Sequence, residues 1–263
     1  MRTDQILRLM QEVAAEVITP RFKALAQGEI KEKRPGDLVT VADHEAEVLI
    51  TDALLQAYPA AVVLGEEAHS ADPCLMQRFQ RAEHAFTVDP VDGTKNFVNH
   101  SPDHAVMVSE VIDGITMRAW IWQPEHKVAW TAIRDHGVRR NGAPFTRAPA
   151  QDPPVGATSI WSRRGREPEG LPPLIGSWVC CGVDYPNLIA GECDFLVYGH
   201  TNPWDHLPGG LLLQEVGGAS AHRDGTPYGA RSIGKGVISA ADPVTLARAV
   251  DACGRIWPRR HVD

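Results

Sequence analysis

Cysteine is scarce and poorly spaced for any framework. The five thiols, Cys74, Cys180, Cys181, Cys193 and Cys253, are odd in number and show no C-x-x-C spacing. That excludes a disulfide scaffold and a zinc cage, and a reducing cytoplasm is the expected compartment. Long apolar runs are missing too: none approaches the roughly 18 to 20 residues that a membrane span needs. The N-terminus, MRTDQILRLMQEV, has an acid at position 4 and an amphipathic pattern in place of a basic segment leading into an apolar one, so no signal peptide is expected. Positive charge is in deficit, with 26 Lys and Arg against 33 Asp and Glu for a net charge of −7. The basic residues are scattered apart from short runs such as Arg163-Arg164 and Arg259-Arg260, which leaves no footprint for nucleic acid. Low-complexity tracts and repeats are absent, which sets aside disorder and solenoids.

What is present is an ordinary globular composition, 43% hydrophobic and 22% charged over 263 residues, enough to bury a core as one large domain or two modest ones. Ile6, Leu7, Met10, Val13, Ala14 and Val17 recur at three and four, predicting a helix over about 3–26. A second helix is expected over about 42–58, with Val48, Ile50, Leu54 and Leu55 available for burial. Between them KEKRPGDLVT reads as a polar hairpin or loop around Pro35-Gly36, of the kind that often lies over a site. Two short strands, 61–64 and 85–88, each run into acids, at Gly65-Glu66-Glu67 and at Asp89. Segments 105–112, 115–122 and 128–133, with one more hairpin at Asn141-Gly142, predict an antiparallel sheet. After the proline-rich APAQDPPVG the order changes to alternating strands (158–161, 178–181, 194–198) and helices (near 185–190 and over 204–216). The expected division is an α+β unit over 1–146 and an α/β unit over 147–263, joined as one catalytic body.

The densest chemistry lies in VDPVDGTKNF, residues 88–97. Pro90 fixes its φ and removes a donor, so the chain is expected to leave the strand there, and Gly93 permits a conformation that other residues resist. Asp89 and Asp92 can then face one point with the Val91 carbonyl between them, an all-oxygen donor set that suits Mg²⁺. If Thr94-Lys95-Asn96-Phe97 starts a helix, the free amides of Gly93 and Thr94 form an anion site reinforced by the helix dipole. Taken alone, the same residues serve equally well as a tight turn with helix-capping acids. Glu66-Glu67 can likewise be a solvated loop pair, Asp205 a helix N-cap before Leu207-Pro208, and Asp43 an ordinary acid at a helix start.

Taken in order, Gly65-Glu66-Glu67, Asp89-Pro90-Val91-Asp92-Gly93-Thr94 and Trp204-Asp205 resemble the inositol monophosphatase family. The likeness extends upstream to DLVTVAD, ending at Asp43, and downstream to Gln214-Glu215-Val216-Gly217-Gly218, nearly the whole chain. The resemblance implies a layered αβαβα sandwich, α+β to α/β in class, of the inositol monophosphatase and fructose-1,6-bisphosphatase type. It implies Mg²⁺ ligands at Glu66, Asp89, Asp92 and Asp205 plus the Val91 carbonyl, with two or three ions per site. It also implies a phosphate bound at Gly93 and Thr94, and an attacking water positioned by Thr94, Asp43 and Glu66. The chemistry follows from the substrate: a phosphate monoester dianion repels a nucleophile and leaves a poor alkoxide, and clustered cations relieve both problems without a covalent nucleophile. Lithium inhibition and a homodimer are further family traits. Trp120, Trp122 and Trp130 could offer apolar surface to a dimer, although for at least two of them a place in the core is expected.

Several positions depart from the family pattern. Phe195 to Pro203, just ahead of Trp204-Asp205, contains no acid where inositol-selective members typically carry one. Val179-Cys180-Cys181-Gly182-Val183 stands where many members have a run of small residues. Lys95 in place of a second threonine resembles the histidinol-phosphate and bisphosphate-nucleotide branches. The lead expectation is therefore hydrolysis of a small phosphate monoester. The alternatives are a histidinol-phosphate phosphatase, a 3′(2′),5′-bisphosphate nucleotidase, or a catalytically silent scaffold that binds a partner. Lys31 and Lys33 read as solvated charges, and His100, His104 and His206 as structural or supporting groups. Cys180 and Cys181 read as small buried residues on opposite faces of a strand.

Overall fold

The computed structural model describes residues 1–26, 28–34 and 37–254. Helix α1 (Thr3–Val13) continues through a π-helical stretch, Ala14–Ile18, and a 3₁₀ turn, Thr19–Arg21. Ile6, Met10, Val13, Ala14 and Val17 are buried as their spacing predicts. The helical course stops at Arg21, short of the predicted end, where Pro20 has no amide to donate. A hairpin follows, β1 (Ile30–Arg34) and β2 (Asp37–Thr40), as expected; its predicted tip, Pro35-Gly36, lies outside the described residues. Thr40 then caps α2 (Val41–Ala57), its hydroxyl oxygen accepting from the Ala42 amide at 3.1 Å. Ala42, Ala46, Ile50 and Leu54 form the buried stripe of α2 at steps of four. Val48 lies off that stripe and is 57% exposed, against the expectation that it would be buried.

Strand β3 (Val62–Gly65) runs into α3 (Glu66–Ala71) and α4 (Leu75–Arg81), and β4 (His84–Asp92) into the single-turn α5 (Thr94–Val98). Then comes a meander: β5 (Ala105–Ile112), β6 (Ile115–Gln123), β7 (Val128–Ile133), β8 (Val138–Arg140) and β9 (Ala143–Phe145). These make a seven-stranded sheet in the order β3-β4-β5-β6-β7-β8-β9, parallel only between β3 and β4. The remainder supplies β10 (Gly156–Thr158), β11 (Ile175–Gly176), α6 (Cys181–Ala190), β12 (Phe195–Tyr198), α7 (Pro203–Gln214), β13 (Ala219–His222), β14 (Val237–Ala240) and α8 (Pro243–Gly254). Its five strands lie in the order β11-β10-β12-β14-β13.

Two predicted strands of this half are misplaced. Residue 158 ends β10 instead of starting a strand, and Trp161–Arg163 is a 3₁₀ turn. At 178–181 Val179 takes φ +60, which breaks an extended run, so the strand ends earlier, at β11. Cys180 becomes the residue before α6 and Cys181 its first, so they are not strand neighbours.

The burial pattern sorts these elements into five layers. Ile6, Met10, Ile50 and Leu54 pack with Phe86, Val88, Val106, Val108 and Trp120 on one face of the large sheet. On its other face Met107, Ile121 and Trp130 meet Tyr185, Leu188, Leu211 and Leu212 of α6 and α7. Leu196 and Tyr198 of β12 join that same cluster, while Phe195 and Val197, pointing the other way, pack with Ala249 and Cys253 of α8. The result is the expected αβαβα sandwich. Trp120 and Trp130 are core residues. Among the described residues no helix is long and apolar enough to cross a membrane.

Candidate metal centre and active site

β4 does not end where Pro90 suggested. It stays paired as far as Asp92, but its register with β5 slips: Asp89 opposes Met107 and Asp92 opposes Ala105, so three steps on β4 span two on β5. On a regular strand, residues three apart face opposite sides; one extra residue restores the parity and brings both carboxylates to one side. Proline suits the bulge because it has no amide to give to the ladder. Gly93, at φ +81, then turns the chain into α5. A Cβ there would lie 2.9 Å from the Cys180 Cβ and 3.0 Å from the Asp103 carbonyl, so glycine is required by sterics as well as by φ.

Two other elements deliver acids to the same place. Glu66 opens α3 at the end of β3, and that helix start is capped from α2, where Glu47 accepts from the amides of Glu67 and Ala68, each at 2.8 Å. Gly65 makes this possible, since a Cβ on it would fall 2.3 Å from the Glu47 carboxyl carbon. Asp205 sits in the first turn of α7, where Asn202 Nδ2 donates to its Oδ2 at 3.0 Å.

Carboxylate oxygens of Asp89, Asp92 and Asp205 lie within 4.8 Å of one another. They line a cavity of about 380 Å³ together with Glu66, Val91, Gly93 and Thr94. Glu66 Oε1 accepts from Lys33 Nζ at 2.7 Å, while Lys33 also reaches Glu67 at 2.9 Å. Asp43 is buried behind the cavity: its Oδ2 accepts from the Thr40 hydroxyl (2.6 Å) and amide (2.9 Å), and Thr94 Oγ1 lies 3.1 Å from its Oδ1 and 3.1 Å from the Val91 carbonyl.

Electrostatically the cluster is under-compensated. Burial, then Glu66, Asp92 and Asp205, holds the Asp89 carboxyl well above the usual range, and its Oδ1 is buried with no hydrogen-bond partner among the described residues. Burial, then Asp205, pushes Asp92 up to about 7, against the pull of Cys180 and Gly182. Glu66 is pushed up to about 8, by burial above all and also by Asp205, with Lys33 opposing. Asp205 alone is lowered: burial works upward on it, but the His200 contact at 3.0 Å outweighs that. Asp43 is raised to about 6 by burial, with its Thr40 bonds opposing. Hard oxygen donors, mutual repulsion and an orphaned buried oxygen together fit a divalent cation.

Three contributors carried no signal of this role in the sequence. Lys33, read as a solvated charge, is half-buried against Glu66. The Cys180 thiol donates to Asp92 Oδ2 at 2.9 Å and the Gly182 amide donates to the same oxygen, so Cys180 is more than a small buried residue. His200 pairs with Asp205. His200, Asp205 and His206 also bring three ligand-type atoms within 4.8 Å. The two imidazoles, however, stack 4.9 Å apart at 26°, so their in-plane lone pairs run nearly parallel and do not converge on one ion. His206 is a buried structural histidine, its Nδ1 3.1 Å from the Tyr185 hydroxyl and its pKa pushed down to about 3 by burial. His104, fully buried against Phe22 and Phe97, is likewise structural.

The inositol monophosphatase family model matches residues 2–255 of the chain. The chain belongs to the inositol monophosphatase family. Membership makes it a phosphoric monoester hydrolase of a family that is generally metal-dependent. It is 26% identical over 210 residues to the inositol-1-monophosphatase of Bacillus subtilis, covering 74% of this chain and 76% of that one. It is 25% identical over 217 residues to Nus factor SuhB of Escherichia coli K12, covering 78% and 79%. A solved IMPase/NADP phosphatase, complexed with NADP and Ca²⁺, shares the fold at TM-score 0.77 and 20% identity over 94% of each chain.

Proposed function

We propose that this family member is a Mg²⁺-dependent phosphatase that hydrolyses a small phosphate monoester with water as the nucleophile. The observation that carries the reading is the orphaned Asp89 Oδ1, buried beside the Asp92 and Asp205 carboxylates. Asp89, Asp92, Asp205, Glu66 and the Val91 carbonyl would hold the two or three ions, Glu66 exchanging Lys33 for a cation. Bound there, Mg²⁺ supplies a water of lowered pKa and charge for the departing alkoxide.

The chain's own groups supply the positioning. Thr94 Oγ1, donating its single proton to Asp43 Oδ1, keeps its lone pairs for a proton of the attacking water, with Glu66 as a second acceptor. Gly93 and Thr94 line the cavity at the entry to α5, and their amides would donate to phosphate oxygens. Asp92 has one oxygen engaged by Cys180 and Gly182, which fixes the carboxylate and leaves Oδ1 for a cation. That a neighbour of the same fold binds NADP and Ca²⁺ supports a phosphorylated small molecule and a divalent ion here. We further propose a cytoplasmic, lithium-sensitive homodimer, consistent with five free cysteines, in which units 1–146 and 147–263 act as one catalytic body. No nucleic acid and no membrane take part.

The test is phosphate release from inositol 1-phosphate, histidinol phosphate, 3′-phosphoadenosine 5′-phosphate and glycerol 2-phosphate, in Mg²⁺ and in EDTA, for the wild type and Asp92→Asn. Turnover that needs Mg²⁺ and is lost in the variant supports the reading and selects among the substrate branches. No turnover on any ester would overturn it in favour of a silent scaffold.

A further inference from the structure

Part of the cavity lining is built on a different plan from the carboxylate cluster. Val179 sits at φ +60, a left-handed conformation that a β-branched residue keeps only when its surroundings impose it. Three contacts impose it here. Ser177 Oγ accepts from the Val179 amide at 3.2 Å, Asp184 Oδ1 accepts from the Trp178 amide at 2.6 Å, and Asn96 Nδ2 donates to the Trp178 carbonyl at 2.8 Å. The strained backbone presents the isopropyl group to the cavity, 53% exposed. Leu38 and His200 line the same cavity, and the His200 ring is backed by the stacked ring of His206.

The acid on this side is not free to meet a ligand. Asp184 is fully buried, its Oδ2 accepts from the Tyr198 hydroxyl at 2.7 Å, and Tyr198, 1% exposed, spends its only proton there. Lys95, Ser159 and the His200 Nε2 are the polar side-chain groups left to a ligand in the lining beyond the carboxylates, so a leaving group rich in hydroxyls would lose water against Val179 and Leu38 and meet apolar carbon there in place of hydrogen-bond partners. A flat ring would find Val179, Leu38 and an imidazole to lie against.

We propose that Val179 and His200 are specificity-determining residues that select a leaving group with a flat aromatic or heteroaromatic face over a polyol. The proposal rests on the phosphatase reading above for its chemistry, but not for its binding. The probes are benzyl phosphate and inositol 1-phosphate, both alkyl esters, so that the comparison turns on the shape of the alcohol.

With Mg²⁺, wild type should favour benzyl phosphate in kcat/KM by about tenfold or more, and Val179→Gly should cut that preference about tenfold, mainly through KM. Val179→Ile should retain the preference, and His200→Ala should lower it. Because glycine is at ease at φ +60, Val179→Gly should melt no lower than wild type, which separates lost selectivity from lost folding. A wild-type preference for inositol 1-phosphate, or a ratio that Val179→Gly leaves alone, overturns the proposal. If neither ester turns over, the phosphatase reading is judged separately by the wider ester series above. Calorimetric binding of the two esters in Ca²⁺ then decides: tighter benzyl phosphate binding that weakens in Val179→Gly upholds the wall, and equal binding removes it.

Discussion

Asp89 and Asp194 are each 1% exposed, yet they sit in opposite circumstances. Asp194 is fully provided for: Oδ1 accepts from Arg147 at 2.7 Å and from the Gln151 amide at 3.2 Å, and Oδ2 accepts from the Val155 amide at 3.0 Å. It ties the proline-rich connection to the start of β12. Asp89 has an oxygen with no partner among the described residues and four more acids around it, Glu66, Asp92, Asp205 and Asp43. Burial alone does not mark a functional acid; burial without compensation does, because the fold must hold that cost in reserve for something absent from its own chain.

The largest expected effects come from breaking each member of the pair. Asp89→Asn should cost at least about 100-fold in turnover, more than the loss of a group that only supports a ligand, while the metal-free protein melts no lower. Asp194→Asn should do the reverse: it leaves Arg147 buried without its countercharge, costing about 3 kcal/mol or more, roughly 10 °C in Tm, while turnover per folded molecule is kept. Calorimetric melting and phosphate release read both, and a stability loss in Asp89→Asn equal to that in Asp194→Asn would abolish the distinction.

A second expectation concerns pH. Asp43, Glu47, Glu66, Asp92 and Asp184 are all raised, by burial first, to between about 6 and about 8, whereas unfolded carboxyls titrate near pH 4. Across pH 4 to 8 the folded state therefore binds more protons than the unfolded one, and stability in EDTA should fall as pH rises through that window. Saturating Mg²⁺ should flatten this slope and, at about 100 times its dissociation constant, add about 2.7 kcal/mol at neutral pH. A metal-free Tm that is flat or rises from pH 5 to 8 contradicts the proposed imbalance.

The smallest effect tests the support around the cluster. Cys180→Ala removes a weak thiol donor from Asp92 but leaves the Gly182 amide, so Mg²⁺ affinity measured by titration calorimetry should weaken by about tenfold or less. A larger loss would assign the thiol a part beyond orienting Asp92.

Much of this arrangement is legible in the sequence because it rests on local chemistry. The Asp-Pro-Val-Asp-Gly-Thr run is a short-range pattern, and the 3.6-residue and two-residue periodicities mark many of the helices and strands, whereas the layering and the ligand roles of Glu66 and Asp205, which local chemistry leaves as a loop pair and a helix cap, came from the family resemblance. The bulge in β4 was hidden because proline equally predicts a break; only the pairing with β5 shows that the strand carries on. Lys33 and Cys180 were hidden because each acts across a long sequence separation, Cys180 on a carboxylate 88 residues away, and His200 because it sits in the irregular segment ahead of α7, whose course no local pattern fixes. The strand predicted over 178–181 failed for the same reason: Asp184 and Asn96 hold that backbone from outside the segment and override its apolar pattern.

The position of Asp205 has one more consequence. Asp89 and Asp205 are more than a hundred residues apart in the chain and meet only in the folded state. An ion shared between them closes a loop of that length, so in polymer terms it is a removable cross-link whose strength is set by concentration. The same ion that serves the reaction would then set how long the molecule stays closed, and amide exchange at the start of α7 should slow as Mg²⁺ is added, even with no substrate present.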